Sequence, residues 1–265
     1  VRISFVDSGI GMLSTAAAVR AARPDADLVL SMDPDHMPWG SRTPETIVGR
    51  VLAGARATLD AEPVPGAGGC APDAIVVPCN TASVHGLTTL RAAFEPEIPV
   101  IGTVPPIKPA AAGGGPVAVW STEATTRSRY QQGLIEEFGQ GAAVTPVACV
   151  GLAEAVESGE AAALDAAIAY AAERTPAQTA AVVLGCTHYD LVRERIIGAL
   201  GGRVELFTAA AAVAAQTLRR LGVPAAPDMP ATGGVAVLAS GRPAGLPASA
   251  LNYAAGQALA RVPQA

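Results

Sequence analysis

The sequence predicts an α/β protein of two pseudo-symmetric domains, each a mainly parallel sheet flanked by helices. Three observations carry that expectation. Short β-branched runs alternate with alanine-rich stretches of helical length, half of the 265 residues are apolar, and an apolar run ending in cysteine occurs in both halves of the chain. Alternating strand and helix signals belong to parallel sheets covered on both faces. An apolar share of this size in a chain of this length supplies one large or two small cores.

Taken in order, ISFV, LVL, AIVV, PVIG, VAVW, AVVL and VELF read as strands, and STAAAVRAARP, TIVGRVLAGARATLDA and ALDAAIAYAAERT read as helices. Gly/Pro-rich pieces at Pro63 to Gly69, Ala110 to Pro116 and Pro224 to Gly234 read as loops, the second a candidate domain boundary. Ala74 to Thr81 lies over Ala181 to His188, and Arg2 to Ser8 lies over Val117 to Thr122. Two related α/β units fit both overlaps, although alanine-rich runs also coincide by chance.

Only 15% of the residues are charged and the net charge is −5, so no excess of cations is present to neutralise phosphates or an anionic bilayer. Nucleic acid and membranes are therefore not expected as partners. The only lysine, Lys108 in TVPPIKPA, is poorly suited to a Schiff base or a phosphate loop. No uninterrupted apolar stretch reaches about 18 residues, and VRISFVDSG lacks a basic segment followed by an apolar core. A cytoplasmic location is the expectation. Cys70, Cys79, Cys149 and Cys186 are too sparse for a disulfide scaffold, so free thiols are expected.

In open α/β sheets, ligands bind beyond the carboxyl ends of the strands. Asp7-Ser8, Cys79-Asn80-Thr81, Thr122 to Thr125 and Cys186-Thr187-His188 all follow expected strands, which would collect them at one crevice. Each has a plainer role as a helix cap or a small buried residue. Together they suggest more, because a thiol at a helix start is favoured as thiolate by backbone N–H groups and the helix dipole. Two such thiols facing each other suit racemisation, in which one face of a carbon loses a proton and the other gains one. A disulfide or a metal clip is the other use of a thiol pair, but neither a C-x-x-C pair nor zinc-type spacing occurs, and no metal is assigned. His188 stands close enough to Cys186 in sequence to exchange a proton with it, or simply to bond at a helix start. Asp7 could hold an ammonium, assist Cys79, or cap the DSGIG turn. That turn lacks the full dinucleotide-binding glycine spacing. His36 and His85 read as surface or packing residues.

The motifs DSGIG, PWG, CNTAS, STEATTRS and LGCTHY, running in order from Asp7 to Tyr189 with LASGRP beyond them, resemble those of the glutamate racemase group. This group belongs to the cofactor-independent aspartate/glutamate racemase superfamily. The resemblance implies a crevice site between two domains, residues 1–100 with 208–265 and residues 101–207, and it implies no cofactor. It makes Cys79 and Cys186 the acid/base residues for the D- and L-isomers respectively, assisted by Asp7 and His188. Ser8, Pro38, Trp39, Gly40, Asn80, Thr81, Thr122, Thr125 and Thr187 match substrate-contacting positions, and Asp33 and Glu157 match acidic positions nearby. The implied substrate is a small acidic amino acid, glutamate first, with D-glutamate destined for peptidoglycan or for secondary metabolism. A homodimer is the assembly to test.

Met12 stands where the family pattern has a second glycine, Trp39 replaces tyrosine, and Asp190 replaces proline. The segment Ser128-Arg129-Tyr130 is one residue shorter than the family form, and Phe207-Thr208-Ala209 is less polar. Tryptophan lacks the phenolic O–H and adds volume beside a backbone expected to contact substrate. The rival readings are a racemase for another acidic amino acid, a thiol-dependent isomerase or decarboxylase, and a binding protein without turnover.

Overall fold

The computed structural model describes residues 1–61, 71–139 and 141–261. The loop expected at Pro63 to Gly69 and the thiol of Cys70 lie outside the described residues. The chain divides into two compact units, Val1–Thr103 with Ala210–Ala265, and Val104–Ala209.

The first unit opens with β1 (Arg2–Val6), α1 (Leu13–Ala22), β2 (Asp27–Met32), α2 (Pro44–Ala57), β3 (Ala74–Val76), α3 (Asn80–Phe94) and β4 (Val100–Ile101). The second comprises α4 (Ile107–Ala111), β5 (Val117–Ser121), α5 (Glu123–Thr126), α6 (Arg129–Phe138), β6 (Val144–Ala148), α7 (Leu152–Ser158), α8 (Ala161–Glu173), β7 (Ala181–Leu184), α9 (Thr187–Asp190), α10 (Arg193–Ala199) and β8 (Glu205–Phe207). The chain then returns to the first unit with α11 (Ala210–Leu221), β9 (Val235–Ala239), β10 (Arg242–Ala244) and α12 (Ala254–Ala260). The Ala110 to Pro116 piece is not the junction, because α4 runs to Ala111 and the units change at Thr103–Val104.

The first sheet has the order β10-β9-β2-β1-β3-β4 and the second β6-β5-β7-β8. All neighbours are parallel except the β9–β10 pair. Without β9 and β10 the two orders correspond strand for strand. The recurring sequence segment therefore marks a recurring place in the fold: β3 beside β1 leads to Cys79 and α3, and β7 beside β5 leads to Cys186 and α9. Every residue of β1, β3, β5 and β7 is buried, which is why these strands read as unbroken apolar runs.

Three strands were not among those expected. Strand β6 carries Pro146 in its middle, a residue without an N–H that a sheet tolerates at its edge, where β6 lies. Strands β9 and β10 form a hairpin whose two-residue turn, Ser240-Gly241, has φ of 48° and 81°. Positive φ at both positions is the turn geometry that matches the twist of paired strands. The helix starts are also local: Thr43 accepts the Thr46 N–H at 3.3 Å ahead of Pro44, and Ser128 accepts that of Gln131 at 3.2 Å. Among the described residues, no helix is long and apolar enough to cross a membrane.

The approach of β5 to the end of β7 is tight. A Cβ at Gly185 would stand 2.3 Å from the Ser121 Oγ and 3.1 Å from the Trp120 carbonyl oxygen. Gly185→Ala should therefore lower stability by roughly 2 kcal/mol through overpacking. Ser121→Ala in the same chain should restore part of that loss, as read by thermal unfolding of the two single variants and the double variant.

Candidate active site

Each unit collects its candidate residues at the carboxyl ends of its own strands. In the first, Asp7 follows β1, Asp33 follows β2, Cys79 lies just beyond β3 and Ser240 follows β9. In the second, Thr122 follows β5, Cys149 follows β6 and Cys186 lies just beyond β7.

Both thiols occupy the residue before a helix in extended backbone, Cys79 at φ −63° and Cys186 at φ −136°, and neither sulfur caps its helix. Thr122 behaves otherwise. Its hydroxyl bonds to that of Thr125 at 2.9 Å and accepts the Thr125 N–H at 3.4 Å, so this pair does serve as a cap. Asn80 and Thr187 are the first residues of α3 and α9, with Thr81 next to Asn80, and all three begin helices whose N–H groups point back past the strand ends.

Asp7 is buried, and its carboxylate accepts the Ser8 N–H at 2.6 Å. Asp33 is bonded through both of its carboxylate oxygens. Arg50 donates to it through Nε at 2.8 Å and Nη2 at 2.6 Å, Trp39 through Nε1 at 3.0 Å and Ser240 through Oγ at 2.8 Å, while His36 Nδ1 lies 3.1 Å away. Burial alone would push the Asp33 carboxyl up, but these partners outweigh it and hold it well below the usual carboxylate range. Asp7, Asp33, Trp39, Arg50 and Ser240 line one cavity of about 90 Å³. His36, expected at the surface or in packing, is a partly exposed member of the Asp33 cluster.

In the second unit, His188 lies between a sulfur and a carboxylate. Its Nδ1 is 3.8 Å from Cys186 Sγ and its Nε2 is 2.9 Å from Glu157 Oε2, the latter carried by α7. Burial would depress the imidazole, yet Cys186 and Glu157 hold it well above its ordinary value. Tyr189 is fully buried, and its O–H donates to the Cys149 carbonyl oxygen at 3.4 Å. Burial, then the charges of Cys186, Cys149 and Glu154, push its phenol well up, leaving a neutral donor. Burial likewise pushes the Cys149 thiol up, which marks it as an inert neighbour of Cys186.

Two of the family departures, Met12 and Trp39, sit in the core. Met12 is fully buried, and Trp39, 1% exposed, shares an apolar cluster with Val6, Val51 and Cys79. The expected loss of a donor at position 39 is offset, because the indole N–H supplies one to Asp33. Pro38 and Gly40 on either side of Trp39 are half-buried. Arg50, Ser240, Cys149 and Tyr189 were not singled out from the sequence. A lone arginine inside the apolar run TIVGRVLAG and a Ser-Gly turn were the available signals for the first two. Among the described residues, no group of three or more His, Cys, Asp or Glu side chains is arranged to hold a metal ion.

Fold and site together describe an α/β protein with a strand-end thiol in each of two matching units. Residues 11–217 match the Asp/Glu/Hydantoin racemase family, and the chain belongs to that family. It is 38% identical over 251 residues to the glutamate racemase of Herpetosiphon aurantiacus, covering 91% of this chain and 93% of that one. The Roseiflexus sp. glutamate racemase is also 38% identical, over 80% of this chain and 76% of its own length. Among solved structures, Escherichia coli glutamate racemase in complex with L-glutamate and the activator UDP-MurNAc-ala superimposes with a TM-score of 0.75 at 28% identity, covering 95% of this chain and 92% of that one.

The His188 charge stabilises the fold fully below about pH 6.5, its unfolded value, and that contribution is lost as pH rises through the raised folded value. Glu157→Gln should bring the His188 titration back toward the ordinary value, as followed by NMR of the imidazole. It should also cost about 2 kcal/mol near pH 6 and progressively less in alkaline solution, as read by denaturant unfolding.

Proposed function

We propose that this chain interconverts L- and D-glutamate by two-base proton transfer at Cα, with Cys79 and Cys186 as the bases. One observation carries the reading: the two thiols occupy corresponding places in two sheets of the same strand order, each ahead of a helix that its sulfur does not cap. Family membership and the names of the relatives support glutamate as the substrate.

The chemistry follows from what lies around each sulfur. A protonated α-ammonium withdraws electrons from Cα, and Asp7 is the buried carboxylate suited to hold it. The α-carboxylate gathers charge as Cα loses its proton, and the helix starts at Asn80, Thr81 and Thr187 offer N–H and O–H donors to it. One well-placed donor of this kind contributes roughly 3 kcal/mol to a transition state. Cys79 takes the proton of the D-isomer while Cys186 delivers one to the opposite face, and the roles reverse for the L-isomer. Glu157 holds the His188 ring in place with its Nδ1 toward the Cys186 sulfur. Proton transfer from a carbon flanked in this way requires no cofactor, and the reading carries with it a cytoplasmic location.

Purified protein in heavy water should exchange the Cα proton of L- and D-glutamate and bring either isomer to a racemic mixture, followed by NMR and optical rotation. Cys79→Ser and Cys186→Ser should each lower racemisation by at least about a thousandfold, because each removes one of the two bases. Exchange confined to a neutral amino acid would overturn the substrate, and release of carbon dioxide would overturn the reaction.

A further inference from the structure

The Asp33 carboxylate is 5% exposed, and its two oxygens bind side chains from four separate segments. Oδ2 takes Arg50 Nε from α2 and the indole N–H of Trp39. Oδ1 takes Arg50 Nη2 and the Ser240 hydroxyl from the β9–β10 turn, with His36 Nδ1 also in reach. The β9–β10 turn is itself pinned: the Ser240 N–H reaches the Met32 carbonyl oxygen at 2.8 Å, and its Oγ accepts the Asp35 N–H at 3.3 Å. A carboxylate bonded on all sides fixes its partners relative to one another, as a metal ion fixes its ligands. Of those partners, Trp39 alone extends into the apolar cluster that contains Cys79. The turn Trp39–Ser41 packs against α3, the helix that begins one residue after that thiol.

We propose that Asp33 is a positioning residue for Cys79, acting through the indole N–H of Trp39, and that Arg50 and Ser240 hold the carboxylate for that task. The inference rests on the reading of Cys79 as the base for the D-isomer. Asp33 itself touches no reacting atom. Its contribution is to the place of one sulfur and not the other, so loss of the link has an asymmetric signature.

Two variants test it. Trp39→Phe keeps an aromatic ring in the cluster and removes the N–H, and Asp33→Asn keeps the shape and removes the charge. In both, kcat for glutamate should fall by about ten- to a hundredfold, the scale of a sub-ångström to one-ångström misplacement. The isotope effect measured with α-deuterated D-glutamate should rise, because transfer at Cys79 becomes limiting, while that with α-deuterated L-glutamate should fall. A variant that merely folds less well lowers the apparent kcat and leaves both isotope effects as in the wild type, which would overturn the proposal. A second readout needs no turnover: alkylation by iodoacetamide, mapped by peptide mass spectrometry, with Cys186 as the reference within the same molecule. The ratio of Cys79 to Cys186 labelling should change by about threefold or more in either variant, since thiol reactivity follows surroundings and access. An unchanged ratio in Trp39→Phe overturns the positioning role even if wild-type racemisation is found, whereas a changed ratio without glutamate turnover in the wild type overturns only the substrate reading.

Discussion

A parallel sheet obliges the chain to leave every strand at the same edge, and everything else in this protein depends on that constraint. Residues distant in sequence arrive at one edge because the hydrogen-bond ladder places them there, before any side chain has selected a neighbour. The strands themselves are interchangeable apolar runs. Much of the chemistry enters in the one to three residues after each strand: an aspartate after β1 and β2, a cysteine beyond β3 and β7, and a threonine after β5. Because the second unit repeats the strand order of the first, it repeats this placement, and the two thiols come to correspond without any similarity between the helices that follow them. One of those helices has 15 residues and the other 4.

Both units also bury charge, and they do so for different ends. Around Asp33 the charge is matched by a guanidinium and three further polar groups, an arrangement that holds one protonation state across all ordinary pH. Around His188 the balance is looser. A neutralising carboxylate stands on one side and a thiol on the other, and the ring's charge depends on both. Burial opposes ionisation in each case and is outweighed by bonds. A saturated carboxylate serves as a rigid anchor, whereas an imidazole between a carboxylate and a thiol has a partner for each of its two nitrogens.

The parts that were legible in the sequence share a physical property: they are local. Strands buried on both faces announce themselves as apolar runs, and a cysteine followed by amide and hydroxyl residues marks a strand-to-helix turn. Strand β6 escaped because Pro146 contradicts a strand pattern unless its edge position is known, and β9 because an alanine- and valine-rich run near the end of the chain gives no hint of pairing with β2. The Asp33 cluster was invisible for a similar reason. Arg50 lies 17 residues from its partner and Ser240 lies 207 away, so only the closed sheet brings them together. Trp39 illustrates a different limit: its departure from the family pattern read as a missing hydroxyl and added bulk, and only the fold shows that its indole N–H supplies a donor to the buried Asp33 carboxylate.

The discontinuity of the first unit has a consequence for synthesis. Its sheet receives β9 only after the whole second unit has left the ribosome, because residues Val104–Ala209 intervene in the chain. Until then β2 is an edge strand with an open row of N–H and C=O groups, and the Asp33 carboxylate waits for Ser240. The four-stranded sheet of the second unit has no such debt to later residues. In a nascent chain of this protein the first sheet is thus the last to be completed, with the β9–β10 hairpin acting as the latch that covers the open edge of β2.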